Sequence, residues 1–478
     1  MNWNDLLSEE RFVENNTEDF VPHRNDYDTI ICSTLFRRLQ DKAQVFPLDD
    51  DDYVRTRLTH SLEVSAIGKK LAEYAFEKAK EANLDPWFEE HLEKEFSDVL
   101  LCAGLIHDIG NPPFGHFGEY AIREWFQKHL GELELEGRAL TEILSDWQFQ
   151  DLYYFEGNAQ SIRLLSKTPY LGTMDGFNLS YPVLGAIMKY PISSEELANA
   201  RAAAAAQGAD APKLLYKKIG YNFSERELFD KLNEKTGMRG SRHPLSFFLE
   251  AADDIAYRTS DVEDSMVKKV LGITQIFNSF DQYLEKLNAS GDELYLQTAA
   301  CVQKLRDMYR NEIDKKTRKP ELAAVQRWNQ YLQGMMIKDA GDSFVRNYDA
   351  IMDGSFHGDL FDDTCSGHII QAISILSEKW IYTSSLKIKT ELYGRRVIDS
   401  LLDQFMPAAI KFDTAEDMTF IECRIIDTVS DFYKSMYRRE SAGKSEAEKL
   451  YLRILMITDF ISGMTDNYAK KLYQELFA

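Results

Sequence analysis

Nine histidines in 478 residues are few enough for every position to be weighed. His60 lies in RTRLTHSLEV, His107 in LLCAGLIHDIG and His116 in PPFGHFGEY. His107-Asp108 is the only His-Asp dipeptide of the chain, and it follows the apolar run Leu100, Leu101, Ala103, Gly104, Leu105 and Ile106. An imidazole and a carboxylate at the end of such a run are costly to bury unless something satisfies them. A divalent cation would do so, since both groups are good ligands. A hydrogen-bonded pair satisfies the dipeptide about as well. Two further segments favour the cation. His60 opens an apolar helix (Leu62, Val64, Ile67, Leu71) and offers another imidazole. SFFLEAADDIAYRTSDVED then supplies Asp253, Asp254, Asp261 and Asp264. Asp253, Tyr257 and Asp261 stand four residues apart on one helical face, launched from Phe247, Phe248 and Leu249. That face suits a lined site better than its alternative, a solvated acidic surface. Spacing alone does not choose between Asp253 and Asp254. His116 and Glu119 form an i, i+3 pair after Asn111-Pro112-Pro113, in which a carboxylate orients an imidazole for proton transfer. Arg57, one turn before His60, is placed to fork onto phosphate oxygens.

The elements that hold these groups read as helices. Val302, Leu305, Tyr309 and Ile313 recur at spacings of three and four, as do Ile425, Ile426, Val429, Phe432, Tyr433 and Met436. Only 12 prolines interrupt the chain, and two-residue alternation is scarce. Leu214 to Phe223 is the best strand candidate, with a turn or bulge at Gly220. The expected fold is mainly α, with at most a small β-hairpin. Residues 193–212 are alanine-rich and then broken by Gly208 and Pro212, which predicts an insert: a short exposed helix followed by a mobile connection. Residues 353–367 read as a turn between helical blocks. The dense polar motifs lie in 1–270, leaving a helical region, 271–478.

With 44% hydrophobic residues, a chain this long buries roughly 75% of its unfolded surface and needs no disulfide or structural metal to fold. A net charge of −22 argues against coating nucleic-acid backbone, which needs a basic footprint. It permits a local basic pocket for a phosphorylated ligand. Five scattered cysteines without a CxxC pair argue against a disulfide framework or zinc ribbon. There is no secretory pattern in MNWNDLLSEERFVENN and no apolar run of membrane length. The expectation is a cytoplasmic protein.

The order His60, His107-Asp108, Asp253 resembles the H…HD…D signature of HD-domain metallohydrolases. FRRLQDKAQVFPL, RTRLTHSLEV, GLIHDIGNPPFGHFGE, FEGNAQSIRLL, VLGAIMKYP and EAADDIAYRTSDVED are similar, in the same order, to the bacterial dGTPase type of deoxynucleoside triphosphate triphosphohydrolase. The similarity runs from about residue 35 to 270 and is looser beyond. The resemblance implies an HD helical fold that hydrolyses dGTP, or other dNTPs, to the deoxynucleoside and inorganic triphosphate. Water would attack the α-phosphorus. One divalent ion, Mg or Mn in the first place and otherwise Co, Fe or Ni, would be held by His60, His107, Asp108 and Asp253. It would polarise the α-phosphate and lower the pKa of bound water.

By the same resemblance His116 and Glu119 are the catalytic pair. Arg57, Lys189, Tyr190 and Lys218 (or its neighbour Lys217) meet the phosphates, and Asn158 makes a polar contact to the substrate. Gln44, Val45, Tyr257 and Asp261 meet the sugar or base, which implies poor hydrolysis of GTP. Glu391 and Tyr393 are candidates for reading guanine. Ala251 and Asp254 differ from the vertebrate branch, so nucleotide regulation of that kind is not carried over. A homo-oligomer of six or four copies is implied, with single-stranded DNA as a possible partner and no membrane. The alternatives are another HD phosphohydrolase, acting as nucleotidase or phosphodiesterase, and a dNTP-sensing or single-stranded DNA-binding HD protein.

Overall fold

The computed structural model describes residues 1–13, 26–49, 51–169, 176–206 and 217–477. Its centre is a helix pair. Helix α1 (Arg57–Glu81) starts at a capping box between Thr56 and Thr59 and buries Val64, Ile67 and Leu71. Leu62, expected on that apolar face, is 48% exposed. Helix α2 (Glu93–Ile106) is buried from Cys102 to its end. The two approach so closely at Gly104 that a Cβ there would lie 2.5 Å from Ser65 Cα. That contact sets the end of α2, and hence His107, against the first turns of α1.

Four more helices complete the frame: α3 (His116–His129), α4 (Gly157–Lys167), α5 (Tyr181–Ile187) and α6 (Pro244–Val267). Proline at the first helical position and His243 as N-cap start α6, because proline needs no amide partner there. Helix α6 packs on α1, and α7 (Pro320–Arg346) packs on both. Helix α8 (Cys365–Leu376) leads through a wider turn into α9 (Ser385–Lys411), which packs on α3 and on α10 (Glu446–Ser462).

Two large apolar clusters result. One gathers α1, α2, α5, α6, α7 and α8; the other gathers α3, α9 and α10. A buried charged lock fastens the C-terminal helices to α4. Arg163 Nη2 lies 2.8 Å from Asp459 Oδ2 and 3.1 Å from Glu440 Oε2, while its Nη1 lies 3.2 Å from Glu225 Oε1.

Some expectations shift. The strand expected at 214–223 does not form among its described residues, 217–223. They are loop leading into a short 3₁₀ turn, and Tyr221 makes a single bridge to Ser193. Residues 214–216 lie outside the described residues. Gly220 explains the loss: a Cβ there would sit 1.8 Å from Tyr190 O, so the chain is pressed against a neighbouring backbone instead of a strand partner. The small hairpin is instead Glu134–Leu135 with Arg138–Ala139, a turn that the alternation pattern did not mark. The short helix expected in the alanine-rich segment does form, over Ser194–Ala206; the connection expected after it, 207–212, falls outside the described residues. Ile313, expected on a buried stripe, is 48% exposed, whereas Val302 and Leu305 are buried. The stripe from Ile425 to Met436 is divided between two helices, Phe420–Thr428 and Asp431–Ser441. Among the described residues no helix is long and apolar enough to cross a membrane.

Candidate functional site

The first turn of α1, the residue after α2 and the middle of α6 converge. His60 Nε2 lies 3.0 Å from Asp253 Oδ1, and His107 Nε2 lies 3.7 Å from the same oxygen. Ligand atoms of His60, His107 and Asp253 all fall within 4.8 Å of one another. His107 Nδ1 is held at 2.8 Å from Gly104 O, which turns Nε2 toward Asp253. That Nε2 is buried and has no hydrogen-bond partner. Buried polar atoms are nearly always satisfied, so an orphaned imidazole nitrogen beside a carboxylate fits a cation. Asp108 is adjacent but otherwise engaged. Its Oδ2 receives Arg57 Nη1 at 2.5 Å, its Oδ1 receives Asn111 Nδ2, and Oδ1 stays 3.6 Å from His107 Nε2. Burial alone would raise this carboxyl, but Arg57 and the histidines outweigh that and hold it at about 2. Asp254 turns away to Arg258, 3.4 Å distant.

A polar cavity of about 390 Å³ opens over these residues, within the size range of small-molecule sites. Helix α3 presents His116 at its start. Its Nδ1 lies 3.1 Å from Glu119 Oε2, and Glu119 Oε1 accepts the Gly157 N–H at 3.0 Å. His116 is largely exposed and Glu119 almost wholly buried. Burial would raise Glu119, but His116, Lys218 and Arg123 prevail and keep it ionised, at about 2. Gly157 permits this approach, since a Cβ there would lie 2.4 Å from Glu119 Oε1 and from Asn111 Oδ1.

Arg57, Asn158, Lys189, Tyr190, Lys217 and Lys218 line the same cavity, as do Gln44, Val45, Tyr257 and Asp261. Asp261 accepts from Tyr382 Oη at 3.0 Å through Oδ2, while its Oδ1 and Gln44 Oε1 are buried without partners. Burial lifts Asp261 to about 6. The guanine candidates stand apart. Glu391 pairs with Lys387 at 3.3 Å, and Tyr393 packs against Tyr473; neither lines the cavity.

Several lining residues escaped the sequence reading. Lys387 and Tyr382 come from the C-terminal half, where no motif marked them, and Glu250 stands on α6 one turn before Asp254. Glu156 precedes Asn158 by two residues, so its string was legible although its role was not. Lys42, 2% exposed, donates to Asn111 O and to Ser462 O at 2.8 Å, tying the His-Asp loop to the end of α10.

Helical architecture, paired imidazoles and a cation-rimmed polar cavity define a phosphohydrolase of the HD class. The HD domain family matches residues 57–158. A Listeria monocytogenes protein named deoxyguanosinetriphosphate triphosphohydrolase-like is 40% identical over 489 residues, covering 100% of this chain and 99% of its own. A probable deoxyguanosinetriphosphate triphosphohydrolase of Pseudomonas aeruginosa is 32% identical over 486 residues (95% and 92%). A deoxyguanosinetriphosphate triphosphohydrolase of Klebsiella pneumoniae is 32% identical over 531 residues (100% and 98%). The chain belongs to the family of deoxyguanosinetriphosphate triphosphohydrolases and triphosphohydrolase-like proteins.

Proposed function

We propose that this protein hydrolyses a deoxynucleoside triphosphate, dGTP in the first place, to the deoxynucleoside and inorganic triphosphate. The observation that carries the reading is the convergence of His60, His107 and Asp253 beside the His116–Glu119 pair at one cavity whose lining includes the cations Arg57, Lys189, Lys217, Lys218 and Lys387. His60, His107, Asp253 and Asp108 would hold a divalent cation, which when bound supplies Lewis-acid polarisation of the α-phosphate. Glu119 fixes the tautomer and orientation of His116 through Nδ1, leaving Nε2 to take a proton from attacking water and return it to the departing 5′-oxygen. The bond from phosphorus to that oxygen breaks, and the triphosphate leaves intact. Lys189, Lys218, Tyr190, Asn158 and Arg57 bind its oxygens. The 3′-hydroxyl donates its one hydrogen to a partnerless oxygen of Gln44 or Asp261, and the Tyr257 ring walls the C2′ side.

The relatives named for this activity support the substrate class. The test is product analysis by ion-exchange chromatography across the four dNTPs and GTP, with Mg or Mn. Intact triphosphate from dGTP is expected, with GTP a poor substrate. Release of pyrophosphate or single phosphate would refute the reaction, and comparable kcat/KM for GTP would refute the sugar site. Assembly into a homo-oligomer belongs to the same reading and is read from the solution mass by light scattering.

A further inference from the structure

Of the lysines that line the cavity, Lys189 and Lys218 each rest on a carboxylate with little exposure, but the two carboxylates differ in what they keep. Lys189 Nζ lies 2.6 Å from Glu250 Oε1, while Arg242 Nη2 lies 2.7 Å from Oε2 of the same group. Lys218 Nζ lies 2.6 Å from Glu156 Oε1, which also accepts from Asn158 Nδ2 at 3.1 Å. Glu156 is 2% exposed. Among the described residues, no second cation lies within ion-pairing distance of it. Its charged surroundings are otherwise Glu119, which shares Lys218 at 3.9 Å, and Arg123, which acts from farther away. Tyr190 feels the charge of the group, and His116 is committed to Glu119.

The two lysines therefore leave different vacancies behind. When a ligand phosphate draws Lys189 off, Glu250 retains Arg242. When it draws Lys218 off, Glu156 is left in a buried site facing an ionised Glu119. An uncompensated buried carboxylate neutralises by binding a proton, and a like charge alongside strengthens that tendency. Burial and Glu119 already raise Glu156 above the usual glutamate range in the free protein.

Resting on the triphosphate reading of the cavity, we propose that Glu156 is a proton-coupled positioning residue. It holds Lys218 and Asn158 in register in the free protein, and it takes one proton from solvent when phosphate draws Lys218 away. The ammonium keeps its charge and passes to phosphate oxygens, the solvent proton binds the vacated Glu156 carboxylate, and no covalent bond other than to that proton is made or broken. Binding of a triphosphate group is then linked to proton uptake, so affinity falls as pH rises.

The test is calorimetric titration of the full-length protein with inorganic triphosphate in EDTA at pH 8, in buffers of low and high ionisation enthalpy. Proton exchange by the ligand itself is common to all variants and cancels in their difference. Wild type should take up about one proton more than Glu156→Gln, as complete neutralisation of one carboxylate requires. Lys218→Met should lose the same proton, because its Glu156 is neutral before binding. Lys189→Met should bind more weakly yet keep the wild-type proton count, since Glu250 retains Arg242. A purely structural role for Glu156 would leave the proton count unchanged. Equal uptake in wild type, Glu156→Gln and Lys218→Met would overturn this inference while leaving the triphosphate site intact. Absence of triphosphate binding in wild type would overturn both.

Discussion

At the scale of single residues, the pairing of His116 with a buried Glu119 separates proton transfer from cation binding. Neither group reaches the His60–His107–Asp253 cluster through a hydrogen bond of its own. His116→Ala should lower kcat by about 10²- to 10⁴-fold, the usual worth of a general acid–base group. Affinity for Mn, followed by its paramagnetic signal, should remain near wild type; parallel loss of both would mean that His116 belongs to the cation site. Gly157→Ala probes the same pair from the other side. Its methyl would stand 2.4 Å from Glu119 Oε1, displacing the carboxylate that orients His116. A fall in kcat with little change in KM is expected, and an unchanged kcat would show that Glu119 tolerates displacement.

Among the elements, α6 depends on a buried histidine at its start. His243 Nδ1 accepts the Leu245 N–H at 3.1 Å, so Nε2 carries the hydrogen and donates to Leu6 O at 3.0 Å. Burial pushes this imidazole down to about 4. The unfolded chain, with an ordinary value near 6.5, therefore binds a proton that the folded state refuses. His243 costs nothing above about pH 6.5, and stability is lost as pH falls from there toward 4. The full loss is roughly 3 kcal/mol by linkage. Urea midpoints between pH 7 and 5 should fall in wild type, with a shallower fall in His243→Asn, which retains a side chain able to cap. Because Asp253 rides on this helix, the same acid range should loosen the site. A pH-independent difference between the two proteins would exclude His243 as the cause.

Across the whole molecule, the two apolar clusters meet at buried polar groups. Arg163 gathers Asp459, Glu440 and Glu225, and Gln160 on the same helix donates to Asp459 at 2.8 Å and to Ser462. Removing one partner of such a buried set is costly because the remaining charges lose their compensation. Arg163→Ala should destabilise the protein by about 3–5 kcal/mol in denaturant titration. Breaking the exposed pair Arg424–Asp427 should cost under about 1 kcal/mol. Similar small losses for both would show that water reaches the Arg163 cluster. Since α4 starts at Gly157 and holds Glu119, activity of Arg163→Ala should fall before global unfolding does.

Much of this protein was legible along the chain because its determinants are local. The 3.6-residue spacing of apolar positions announces helices, and His107-Asp108 and His116–Glu119 each lie within one turn of backbone. Asp253, Tyr257 and Asp261 share one face of a single helix over little more than two turns. What spacing leaves open is which way a polar neighbour turns. Asp253 and Asp254 are equivalent along the chain. Folding aims the first at two imidazoles and the second at Arg258, because only one of them faces α1 and the end of α2. Asp108 likewise turns its carboxylate to Arg57 and Asn111, a choice made by residues 51 and three positions away. The lining by Tyr382 and Lys387 and the setting of Tyr393 against Tyr473 arise from how α9 docks. Gly220 turned an expected strand into a loop through contact with Tyr190. Periodicity determines which face of a helix is buried; contacts between segments far apart in the chain determine what that face meets, and those contacts exist only once the helices have packed.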